Sequence, residues 1–279
     1  MHFKPNSRQT NCDEENGETV KINGIHIEEV TETKFLGVVI DNELSWLPHI
    51  KYLCKKLKCN TGVLNRIKDF IPGRLHKTLY HTLFESHLSY GITVWGRIPE
   101  SKMKSVFTTQ KHCIRIMFGD NDAYLEKFRT CVRTRPVEDQ QLGSEFYTKE
   151  HTKPLFNAHD IFTVQNLYNY HTVLDTFKIL KTHTPISLFS CLTISQRKQT
   201  LLIPSQNPHS YAYKASTTWN SFRAVLPAGE INDFSVGFAS MKNKIRQLLL
   251  NHQKIGDRVE WCDENFQIKR SSHSFTSKL

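Results

Sequence analysis

Seven cations, Lys51, Lys55, Lys56, Lys58, Lys104, Lys111 and Arg115, alternate with apolar residues at helical spacing. The chemistry such a set offers is phosphate binding. Lys and Arg contacts to a polyanion displace its counterions, so the association weakens steeply with salt and reads no base sequence. The charge is concentrated. Ser45 to Arg135 holds 17 Lys or Arg against 6 Asp or Glu, the rest holds 20 against 21, and so one third of the chain accounts for the net charge of +10. The competing explanation for a basic helix is a solvated outer face. Its place directly after a β-rich segment favours the phosphate reading here.

Other chemistry finds little support. Metal-assisted nucleotidyl transfer needs closely placed carboxylates. No Asp-x-Asp pair flanked by strand residues occurs, and Asp120-Asn121-Asp122 follows a helix stop, where acidic residues serve as turn formers. Cys54 and Cys59 lack a second Cys or His pair at zinc spacing. The seven cysteines are odd in number and scattered, which implies reduced thiols rather than a disulfide framework. His76, His81 and His87 follow one another by five and six residues, which does not stack them, so they read as helix-surface residues. Gly-rich phosphate loops and a nucleophile elbow are absent. No catalytic residue, metal ligand, cofactor or small-molecule substrate is therefore assigned to this chain.

The positioning elements follow from periodicity. Val20 to Ile27 and Lys34 to Ile40 are β-rich runs joined by Glu28 to Thr33, which predicts one hairpin. Phe35 and Leu36 are expected to pack beneath it, and Gly37 to leave room for a close backbone approach. Residues 4–18 read as a loop. A helix is expected to begin near Leu47-Pro48, with Leu53, Leu57, Leu64 and Ile67 on its inner face and the lysines outside. A second follows from about Arg74 to Tyr90, on a stripe of Leu75, Leu79, Leu83 and Leu88. A third runs from beyond Pro99 through Met103, Val106, Phe107, Gln110, Ile114 and Met117 to a stop at Gly119. Further helices are predicted over 161–181, 216–222 and 235–252, with a short strand over 200–203. The fold class is α+β, mainly α.

The stretch Lys34-Phe35-Leu36-Gly37-Val38-Val39-Ile40, with Trp46 and His49 after it, resembles the FLG-type primer-grip hairpin in reverse transcriptases of non-LTR retrotransposons, the jockey-like and LINE-like elements. Met1-His2-Phe3 is similar to the end of the family's palm strand. Tyr90-Gly91-Ile92-Thr93-Val94-Trp95-Gly96 is similar to its "YGxxxWG" thumb segment, and Trp219-Asn220 with Leu226-Pro227 to its "WNxLP" element, here spread by a few residues. The resemblance implies an end of palm and primer-grip-like hairpin over 1–46, a helical thumb-like domain over 47–142, a mostly helical C-terminal domain over 143–268 and a flexible tail over 269–279.

It also implies a function. The chain would be the C-terminal part of an RNA-directed DNA polymerase, holding an RNA template and DNA primer through Phe35, Leu36, Gly37 and the seven cations. The catalytic aspartates of that family lie before the strand that Met1 resembles, so Mg²⁺ is expected only with the missing palm, and this chain alone is expected to be inactive. The alternative is a truncated transposon-derived protein acting as an interaction module or without function. Trp46 and Trp95 have two readings, sealing a core or stacking on a base. Without about 18 consecutive apolar residues or a signal-peptide core, the expected location is intracellular, in nucleus or cytoplasm, with no membrane contact.

Overall fold

A computed structural model describes residues 21–26, 30–119, 152–195, 200–205, 210–225 and 237–255. The palm-like start at Met1, the 4–18 loop, the Asp120–Asp122 turn, Leu226-Pro227 and the 269–279 tail lie outside them. The described chain is mainly helical, with small antiparallel two-stranded sheets at its N-terminal end.

The β-rich segment forms two hairpins rather than the single one predicted. β1 (Lys21–Ile22) pairs with β2 (Ile25–His26), and β3 (Glu32–Phe35) pairs with β4 (Val38–Asp41), with Phe35 opposite Val38. Turn chemistry explains the difference. Asn23 and Gly24 have φ of 50 and 81, and Leu36 and Gly37 have 46 and 83, so each pair makes the positive-φ two-residue turn that matches strand twist. Gly37 is thus the second turn residue, not a strand-interior one. A turn at the tip also leaves Phe35 and Leu36 61% and 74% exposed, which corrects the expectation that they pack beneath the hairpin.

Helix α1 (Leu47–Ile67) starts where the sequence predicts, with proline in its first turn. Asp41 positions that start, since its carboxylate accepts the backbone N–H of Ser45 at 2.9 Å and of Trp46 at 3.0 Å. Burial alone would raise the Asp41 carboxyl, but these bonds outweigh it and hold it below its ordinary value. The buried residues His49, Ile50, Leu53, Leu57, Thr61 and Leu64 form one stripe.

A connection through short 3₁₀ turns leads to a helix that changes its winding. α2 (His76–Leu79) runs through a π-helical stretch (Tyr80–Glu85) into α3 (Ser86–Ser89), and the residues fully buried are Tyr80, Phe84 and Leu88 rather than the leucine stripe predicted. A π turn shifts the register of every later side chain, which a fixed helical period does not anticipate. His76 departs from the surface role predicted for it. Its ring nitrogens face the carbonyls of Met117, Lys68 and Ile71 at 3.0 to 3.2 Å, tying the connection to the end of a later helix.

After α4 (Ile92–Trp95) comes α5 (Glu100–Phe118), whose buried stripe includes the predicted Met103, Val106, Gln110, Ile114 and Met117. α6 (Lys153–Ala158) precedes α7 (Val164–Thr182), which is buried on nearly every side and forms the axis of the second half. α8 (Ile186–Phe189), α9 (Tyr211–Val225) and α10 (Phe238–Ile255) complete the chain. The predicted strand at 200–203 is only a bridge between Ile194 and Leu201. One continuous buried cluster takes in residues from α1 through α10, and Trp95 belongs to it, fully buried, with its indole N–H donating to the Tyr90 carbonyl at 2.9 Å. Trp95 is therefore a core residue, the first of its two readings.

Candidate nucleic-acid interface

α1 and α5 lie side by side and run in the same direction. Lys102 Nζ reaches the Ser45 carbonyl at 3.5 Å near the start of α1, and Cys54 Sγ meets Ser105 Oγ at 3.9 Å further along. The Thr61 hydroxyl meets the Cys113 thiol near the far end, where burial pushes that thiol up to about 12. Both buried stripes face one core, so the exposed side chains of the two helices lie on its outer side, with Lys104, Lys111 and Arg115 on the flank of α5 that turns away from α1. The pair carries nine Lys or Arg and one acid, Glu100. Such a surface sums its field rather than cancelling it.

Most of the predicted phosphate contacts are on this surface, and they sort into three groups. Lys51, Lys55 and Lys58 are exposed on the flank of α1 that turns toward α5. Lys104 and Arg115 are exposed on α5, and Lys111 is half-buried beside them with its Nζ 4.8 Å above the Phe107 ring. Desolvation, and then the charges of Arg115 and Lys104, hold the Lys111 ammonium below its ordinary value. Lys56 is exposed on the other flank of α1, away from α5. No ion pair among the described residues engages Lys51, Lys55, Lys56, Lys58, Lys104 or Arg115.

The hairpin residues behave differently. The space that Gly37 opens is filled by this chain's own Tyr90: a Cβ on Gly37 would stand 3.3 Å from Tyr90 Cε1, and the Tyr90 hydroxyl donates to the Leu36 carbonyl at 2.6 Å. Phe35, Leu36 and Gly37 are thus held as an exposed tip beside Tyr90, apart from the α1–α5 surface.

Residues overlooked in the sequence join that tip to Lys56. Lys34 donates to the Tyr52 hydroxyl at 3.1 Å, with its Nζ 4.7 Å above the same ring. These partners are 18 residues apart, so no local spacing marks them. His49 anchors the hairpin from below, its Nδ1 accepting the Val39 N–H at 3.3 Å, and burial pushes the ring down to about 4.

No protein-family model matches the chain. Over 81 residues, 28% of its length, it is 35% identical to the Retrovirus-related Pol polyprotein from type-1 retrotransposable element R1 of Bradysia coprophila. This supports a retrotransposon-derived origin. The matched stretch spans 8% of that polyprotein. No solved structure matches the chain. Among its described residues, no group of three or more His, Cys, Asp or Glu is placed to hold a metal ion, and no helix is long and apolar enough to cross a membrane.

Proposed function

We propose that this chain holds a template–primer duplex of RNA and DNA as the primer-grip and thumb portion of a non-LTR retrotransposon reverse transcriptase, and does not itself carry the polymerase chemistry. The observation that supports this most is the outer side of α1 and α5, where Lys51, Lys55, Lys58, Lys104 and Arg115 are exposed and the two helices together carry one acid, Glu100. A duplex backbone presents a dense row of phosphates to such a surface, and the contacts fix position without reading sequence. The similarity to a Pol polyprotein supplies independent support.

The test is equilibrium binding of the full chain to a short RNA–DNA hybrid across a salt series. Six or more phosphate contacts give a fall in affinity of roughly 10³-fold or greater between about 50 and 200 mM salt. Absent or salt-insensitive binding overturns the reading. Magnesium and deoxynucleotides added to the complex are expected to give no primer extension by this chain alone.

The exposed apolar tip at Phe35 and Leu36 favours a second reading, an interaction module from a truncated element. Concentration-dependent association of the chain with itself, without hybrid binding, would support that reading instead.

A further inference from the structure

Two short extended segments lie antiparallel beyond α8, bridged at Ile194 and Leu201. The Ser195 N–H donates to the Thr200 carbonyl at 2.8 Å, and the Leu202 N–H to the Thr193 carbonyl at 2.7 Å. Ile194 and Leu201 are therefore opposed without bonding each other, and each turns its own N–H and carbonyl outward, on opposite edges. The Leu201 edge is closed. The side-chain amide of Asn220, on α9, donates to the Leu201 carbonyl at 2.7 Å and accepts its N–H at 2.9 Å, which gives the Trp219-Asn220 element a role in the fold. The Ile194 edge is open: neither its N–H nor its carbonyl has a partner among the described residues. Ile194, Leu202 and Ile203 are exposed, as is Ile186 on α8, at 76%. Edges of this kind are ordinarily blunted by charge or proline. Thr193, Ile194 and Ser195 are neither, and the described residues 182–195 and 200–205 hold no Asp, Glu, Lys or Arg; Arg197 and Lys198, in between, lie outside the described residues.

We propose that a second copy of this chain docks on this edge, the two Ile194 residues pairing antiparallel about a two-fold axis. Two features select a second copy as the occupant. A two-fold interface makes a residue on the axis meet itself, and residues that face each other and exchange both bonds must each present a donor and an acceptor on one edge. Ile194 does so, and pairing with its own counterpart leaves none of these groups unbonded. The second feature is charge. A chain of net charge +10 repels its own copies, so two copies meet most readily where no cation stands opposite another. The uncharged face around Ile194 meets that condition, whereas other exposed apolar residues adjoin cations in the chain, Phe35 beside Lys34 and Phe70 between Lys68 and Arg74. The inference does not depend on the duplex reading.

Sedimentation equilibrium of the full chain across a concentration series tests this, with RNA–DNA hybrid binding measured on the same preparation. The unsubstituted chain should show a reversible equilibrium between monomer and dimer. Ile194→Lys and Ile194→Glu, at an exposed position, each set like charges opposite one another and should raise the dissociation constant roughly tenfold or more. An equimolar mixture of the two should restore the dimer as a mixed pair. Ile194→Pro removes the outward N–H without touching the hairpin's own bonds, which come from Ser195 and Leu202, and should weaken the dimer as well. Thermal unfolding checks that the variants fold. A chain that stays monomeric up to roughly 100 µM, or a dimer that survives any of the three substitutions alone, overturns the inference, and hybrid binding by that same chain leaves the duplex reading standing. A dimer lost in both charged variants and restored in their mixture establishes the inference even where no hybrid binds and the duplex reading fails.

Discussion

The side-chain amide of Gln110, on α5, closes onto the backbone of Val164, the first residue of α7: Gln110 Oε1 accepts the Val164 N–H at 2.9 Å. The same amide donates from Nε2 to the Phe162 carbonyl at 2.8 Å and to the Tyr80 hydroxyl at 2.9 Å, so one fully buried side chain joins α5, the π-helical stretch and the start of α7. Replacing it with an apolar residue strands two backbone groups and a hydroxyl away from water. Gln110→Leu should therefore cost about 3 kcal/mol or more in urea-unfolding free energy, since each orphaned buried group costs about 1–3 kcal/mol. A cost under about 1 kcal/mol would show that this joint does not hold the halves together.

The hairpin tip makes a separate prediction through Gly37. Its φ of 83 suits glycine, and an added Cβ would press on Tyr90 Cε1 at 3.3 Å. Gly37→Ala should cost about 1–2 kcal/mol through the left-handed conformation alone, and faster amide hydrogen exchange in β3 and β4 should locate the effect. Tyr90→Phe should raise exchange at the same amides by removing the bond to Leu36 while keeping the ring. Unchanged exchange in both variants would mean that Tyr90 does not brace the tip.

What is legible in the sequence divides along physical lines. The stripes of α1 and α5 are readable because Leu53, Leu57 and Leu64, and Met103, Val106 and Met117, repeat at helical spacing, and the outer positions of the cations follow from the same geometry. Val and Ile continuity points to one hairpin where turn chemistry makes two, although Asn23-Gly24 is itself a strong two-residue turn signal. The π turn at Tyr80–Glu85 leaves no such mark. Parallel packing of α1 on α5, and the Lys34–Tyr52 pairing, join residues distant in the chain, and a single sequence does not encode them as spacing.

Acid should loosen the hairpin through His49. The ring is buried against Trp95, accepts the Val39 N–H on Nδ1 and leaves Nε2 without a partner, so only its neutral form fits, and burial lowers it from 6.5 to about 4. A base held neutral in the folded state is more readily protonated when unfolded. Its contribution is complete above about pH 6.5 and declines as pH falls toward 4, by about 3 kcal/mol in total. Desolvation depresses His87, His159 and His171 in the same direction, while burial raises Asp175, which has the opposite effect on stability. The difference between the unsubstituted chain and His49→Gln isolates the His49 share. That difference should shift against the unsubstituted chain between pH 6.5 and 4; a constant difference would place His49 outside the acid response.

The two rows of cations on the outer surface should also be separable. Lys51→Gln, Lys55→Gln and Lys58→Gln remove charge from exposed positions on α1, so stability should move by no more than about 0.5 kcal/mol. Each phosphate that the protein no longer neutralises flattens the dependence of log affinity on log salt by about 0.9, and the triple variant should flatten it by roughly 3. Lys104→Gln, Lys111→Gln and Arg115→Gln make the matching test on α5. Equal flattening by both sets would mean that the duplex backbone crosses both helices. Flattening by one set alone would mean that the duplex lies along a single helix, and flattening by neither would remove the surface from the interface altogether.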